Sequence, residues 1–240
     1  MARRSSILTI IARAFTASAK NIHITLAAAA LYGISLAVID HVIFGLVGVS
    51  NPPTQQDMPK VLLSLLGAQF TIEIFLGPIL AAMAVYVGRI TAEGRSASLY
   101  KAVNFALSRY SRLFLPRFMA WLSISLGMII IVPGVLFLLQ YAFVDSVACM
   151  EEEKKPLPRS KRLTKGRRKS LFLLAMPWIL ISQGLGFFQL WALSQSGLVM
   201  AAGDTVASMI TFVMFVAFYL LYDERTRKRR AKKTTDTATP

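Results

Sequence analysis

Four ionisable residues fall within apolar stretches of this chain. Asp40 and His41 lie in the outer half of a first predicted span, Glu73 in the outer half of a second, and Asp145 near the inner end of a fourth. An ionisable group in hydrocarbon is costly, so each is a default candidate for ion pairing, proton relay or ligand contact. A histidine beside a carboxylate can hold a proton, a cation or a polar headgroup. If the first two spans form a hairpin, His41 and Glu73 come within reach of each other. The plainer reading has both extending to outer water. Asp145 is expected to form a structural pair with a basic residue such as Arg117 at the cytoplasmic face. Gln69, Gln140, Gln183 and Gln189 are uncharged polar groups in or at the edge of spans. Their ordinary role is interhelical hydrogen bonding, worth about 0.6 kcal/mol each. Ser182 and Gly186 have the spacing of a close helix contact.

Other chemistry has no pattern to rest on. There is no phosphate loop, nucleophile elbow or zinc spacing. The two histidines, His23 and His41, are predicted on opposite halves of one span. Glu151, Glu152 and Glu153 have no histidine nearby and make poor metal ligands. The single cysteine, Cys149, allows no internal disulfide and reads as a small apolar residue at the end of a span. The expectation is a protein without metal, cofactor or catalytic residue.

The elements that hold these residues follow from charge and hydropathy. The chain has 240 residues, is 55% hydrophobic and carries a net charge of +15. Its mean hydropathy is +0.56. Of the 27 Lys and Arg residues, all but Lys60 fall in four blocks: Arg3–Lys20, Arg89–Arg117, Lys154–Lys169 and Arg225–Lys233. Enough apolar chain lies between successive blocks to cross a bilayer twice, which is the pattern of positive charge retained on the cytoplasmic side. That arrangement explains the charge better than nucleic-acid binding does. A cleaved signal peptide is not expected, because Arg13 interrupts the first apolar stretch. Ser5 to Lys20 reads instead as an amphipathic interfacial helix.

Six spans are predicted, at about Ile22–Val49, Phe70–Arg89, Leu113–Val132, Val135–Met150, Leu171–Leu193 and Val199–Tyr222. Gly77-Pro78 should kink the second. Pro133-Gly134 should form the tight outer turn between the third and fourth. The expected fold is therefore all-α, with 1–222 as one membrane domain and 223–240 as a basic tail without structure. Ser98–Leu115 and Pro156–Leu173 align without gaps, pairing Arg109 with Arg167 and Leu113-Phe114-Leu115 with Leu171-Phe172-Leu173. The implied unit is a basic interfacial helix followed by a transmembrane hairpin, used three times.

The stretch Pro133–Phe172 runs from Pro133-Gly134 through a span to Glu151, then through a basic segment containing Ser160, Leu163, Thr164 and Gly166. In this it resembles the membrane domain attached to some bacterial glycerophosphoryl diester phosphodiesterases, and that domain's stand-alone relatives. Lys161 stands where the family has an aromatic, and the piece between Glu151 and Ser160 is shorter than usual. The resemblance implies a bacterial cytoplasmic membrane protein. It implies no phosphodiesterase activity, because the soluble catalytic barrel has no counterpart here.

The function read from the sequence is a non-enzymatic lipid-contacting or assembly role. Its partners would be the bilayer, anionic lipids of the inner leaflet and other membrane proteins. Arg159, Arg162, Arg167, Arg168 and Lys169 are the headgroup or partner-binding candidates. The alternative is a transporter of small solutes or lipids, with a polar site between repeats.

Overall fold

A computed structural model describes residues 6–48, 55–128, 130, 132–151, 155–192 and 197–237. The side chains of 55, 58, 62, 64–66, 128, 182–183, 185–192, 197 and 228–237 fall outside that description. Gln183, Gln189, Ser182, Gly186, Glu152 and Glu153 are therefore outside the described set. Apart from a 3-10 turn at Gln55–Asp57, the regular elements are ten α-helices: α1 (Ile7–Lys20), α2 (Ile22–Val47), α3 (Met58–Phe75), α4 (Gly77–Ala92), α5 (Leu99–Met128), α6 (Val132–Tyr141), α7 (Val144–Met150), α8 (Pro156–Thr164), α9 (Arg168–Ala192) and α10 (Gly197–Thr237).

Three stretches are long and apolar enough to cross a membrane: Ile22–Val47, Val132–Met150 and Leu198–Arg227. A fourth counts if Gly67–Phe75 and Gly77–Ala92, bent by 51°, form one span. The third and fifth spans read from the sequence fall in α5 and α9, whose described residues do not meet that measure. On α2, Leu26, Leu31, Ile34, Val38, Val42 and Leu46 are all exposed, three to five residues apart. Such an apolar stripe is a liability in water and ordinary against lipid.

α1 begins at Ser6, whose hydroxyl accepts from the Thr9 amide at 3.1 Å, a serine cap on an orphan amide. Its buried face is Ile10, Ala14, Ala17 and Ser18. Its other side exposes Leu8 and Phe15 beside Arg13 and Lys20. The packed centre is α10, which touches α1, α2, α4, α7 and α9. Missing side chains permit the closest crossings. A methyl group at Gly33 would lie 2.5 Å from the backbone nitrogen of Thr205. One at Gly127 would lie 2.8 Å from the backbone nitrogen of Gly134.

Two helices are broken. Leu76 separates α3 from α4 where Pro78 removes a backbone donor. Tyr110 on α5 donates its hydroxyl to the carbonyl of Phe75 at 3.1 Å and so satisfies one group at that break. Ala142-Phe143 separates α6 from α7. There the Ser160 hydroxyl accepts from the Phe143 amide at 3.3 Å and donates to the Gln140 carbonyl at 2.8 Å.

Several sequence expectations change. Pro133-Gly134 is not the turn between two spans but part of the first turn of α6, where proline is tolerated and where the Gly134 backbone meets Gly127 of α5. Val61–Ala68, which could be read as an outer turn or as an extension of the following helix, is helical and belongs to α3. The basic segment from Leu99 is continuous with the following helix in α5, whereas α1 and α8 stand apart from theirs. α10 spans Gly197–Thr237. Arg227 pairs with Asp223 one turn away at 2.9 Å, and Arg225 donates to the carbonyl of Lys165 at 3.0 Å.

Candidate functional site

Arg117 is the centre of the largest buried charge network among the described residues. It is placed by α5, one residue after Pro116, and is 8% exposed. Its Nη2 donates to Glu73 Oε2 at 2.9 Å and its Nη1 to Asp145 Oδ2 at 2.7 Å. The guanidinium carbon lies 4.9 Å from the Phe215 ring centre, giving the cation an aromatic face as well. Each carboxylate stands at a helix break. Glu73 is in the last turn of α3, and Asp145 is in the first turn of α7. Gly77 completes the arrangement, since a methyl group there would collide with Glu73 Oε2 and come within 3.0 Å of Arg117 Nε.

A cavity of about 460 Å³ opens beside this network. Glu73, Arg117 and Asp145 line it, together with Tyr32 of α2, Gln69 of α3, Trp121 of α5, Trp178 of α9 and Asp204 of α10. The aromatic walls are fixed by their neighbours. Trp121 packs edge-on against Phe70 with ring centres 4.7 Å apart. Trp178 Nε1 donates to the Thr211 hydroxyl at 3.3 Å. Asp145 Oδ1 and Arg117 Nε have no hydrogen-bond partner. Buried polar atoms are normally paired, so these two are unsatisfied groups within the network itself.

No family model, curated protein or solved structure matches the chain.

Of the intramembrane residues singled out from the sequence, the structure brings Glu73 and Asp145 together through Arg117. It does not bring His41 to Glu73, because His41 is exposed on α2 and Glu73 faces α5. Asp40 is 2% exposed and lies beside the cavity rather than in its lining, within electrostatic reach of Asp204. Asp204, also 2% exposed, was not singled out from the sequence. The signal was there: it is the only acidic residue between Gly197 and Tyr222, deep in an apolar helix. No group of three or more His, Cys, Asp or Glu among the described residues could hold a metal ion.

The positions that carry the sequence resemblance form a second, separate network where α7, α8 and α10 meet. Glu151 accepts from Arg159 at 2.8 and 3.3 Å and from the Tyr222 hydroxyl at 2.9 Å. It thereby ties the end of α7 to α8 and α10. Thr164 donates to Gln140 at 3.4 Å, beside the Ser160 contact, and Leu163 is fully buried. Gly166 has φ +80°, a left-handed conformation that suits glycine in the link from α8 to α9. Arg159 is thus committed to an ion pair. Arg162, Arg168 and Lys169 are exposed, and Arg167 is half-buried. At the end of α4, Glu93 takes Arg89 at 2.9 Å and Arg95, and the hydrogen bond from Arg89 holds its carboxyl below the usual range.

Proposed function

We propose that the chain crosses the bacterial cytoplasmic membrane six times, with both termini inside, and carries a small polar or amphiphilic solute through the cavity beside Arg117. The observation behind this reading is one buried guanidinium held by carboxylates from two broken helices, beside a roomy cavity. A network meant only to hold helices together needs no cavity, and a packed interior leaves few voids larger than a water molecule. Carriers commonly place their sites at such breaks, where backbone and side-chain groups meet near the bilayer midplane. The four basic blocks support the topology.

A lipid-contacting role for the cytoplasmic face is compatible with carriage and has its own support. Arg13 and Lys20 on α1 and Arg162, Arg168 and Lys169 around α8 and α9 are exposed beside apolar residues such as Leu8 and Phe15. A relationship to the phosphodiesterase-linked membrane domain is part of the same proposal. Its support is that Glu151, Ser160 and Thr164 sit in one cluster of contacts.

Side-resolved thiol labelling tests carriage. With Cys149 replaced by alanine, Ala207→Cys places one thiol in the cavity lining. Carriage requires a membrane-impermeant maleimide to label it from either face of a proteoliposome. Labelling from one face only, or from neither, overturns carriage.

A further inference from the structure

We infer that the cavity beside Arg117 takes an organic cation, a positively charged nitrogen on an apolar body. The inference rests on the carrier reading and names its substrate class.

Charge is the first argument. Glu73, Asp145 and Asp204 line the cavity with one guanidinium, Arg117. Two of those carboxylates already share that guanidinium. An excess of negative charge in a low-dielectric site is costly, and a cation within a few ångströms relieves it.

The walls are the second argument, independent of charge. Tyr32, Trp121, Trp178, Phe215 and Phe218 face the cavity. Aromatic faces attract cations, and they accept an apolar body where a hydrated ion would lose its water shell uncompensated. A bare metal ion fits poorly, since no set of three ligating side chains among the described residues is close enough to hold one. The network beside the cavity is also left with unsatisfied polar atoms. Arg117 is nine-tenths buried, with its Nε unpartnered, and Asp145 Oδ1 is a buried acceptor without a donor. An ammonium group would face Asp145 and Asp204, both of which line the cavity. That chemistry belongs equally to a free amine and to the amino headgroup of a phospholipid.

The probe is benzyltrimethylammonium, whose charge is independent of pH, applied to the Ala207→Cys protein in phosphatidylglycerol vesicles. It should slow maleimide labelling, while benzoate and benzyl alcohol should not. Adding Asp204→Asn should raise the concentration for half-protection by about tenfold or more. Trp121→Ala, which removes no charge, should raise it as well, and both variants are checked for a single monodisperse species. Phosphatidylethanolamine in the vesicles raises the half-protection concentration if the natural occupant is a lipid headgroup. It leaves the value unchanged if the occupant is a soluble amine; either result upholds the class. Protection by benzoate or benzyl alcohol, or by no probe while labelling proceeds from both faces, overturns the cation and leaves carriage standing. Absence of labelling from both faces removes carriage and the inference with it.

Discussion

Arg117 and Glu73 are 44 positions apart, yet Nη2 and Oε2 meet at 2.9 Å across the break that Leu76 makes between α3 and α4. The contact sits at that break: Glu73 is in the last turn of α3, and Gly77, which opens α4, has no side chain to collide with it. Losing one partner of a buried ion pair is far more harmful than replacing the whole set by neutral groups. Arg117→Met should therefore lower stability by about 3–5 kcal/mol. The triple change Arg117→Met, Glu73→Gln, Asp145→Asn should recover most of that loss. Thermal unfolding in one detergent, followed by tryptophan fluorescence, compares the two.

Gly77→Ala should cost about 1–3 kcal/mol, because the added methyl collides with Glu73 and crowds Arg117. Gly67→Ala is its control, on the same broken span with nothing within 4 Å of the new methyl. It should be neutral, or stabilising by up to about 1 kcal/mol, the difference in helix propensity. Equal effects at the two sites in the same unfolding assay would remove the special role of Gly77.

The sequence made some of this legible. Gly77-Pro78 marks a kink because proline removes a donor whatever the surroundings, and Asp145 with Arg117 follows from opposite charges near one face. The partner of Glu73 was not legible, because it depends on which side of α3 faces α5 after the bend. His41 lies one position beyond Asp40, and that single step, about 100° around α2, separates an exposed side chain from a buried one. Pro133-Gly134 reads as a turn by residue type. In the fold it is the start of α6, where Gly134 serves the contact with Gly127.

Ser160→Ala should destabilise by about 1–3 kcal/mol, since it leaves a buried amide at Phe143 without its acceptor. Hydrogen exchange should rise at the α6–α7 break before it rises in α10. Uniform acceleration along the chain would show that Ser160 does not act on the break.

Arg159 and its exposed neighbours should separate in experiment. Neutralising Arg162, Arg168 and Lys169 together should reduce retained phosphatidylglycerol in native mass spectrometry, at roughly 1 kcal/mol per charge. Arg159→Gln should leave retention unchanged and lower the melting temperature, because Arg159 is held by Glu151. The reverse pattern would place the lipid contact on Arg159 rather than on its exposed neighbours.

Exchange across a membrane is the most direct measurement. Proteoliposomes loaded with unlabelled benzyltrimethylammonium would be diluted into the radiolabelled cation, and uptake followed against protein-free vesicles. Carriage through the cavity requires faster uptake with the protein, lost in Asp204→Asn. Uptake no faster than in protein-free vesicles, from a preparation whose Ala207→Cys form labels normally, would contradict the carriage of a cation through this cavity.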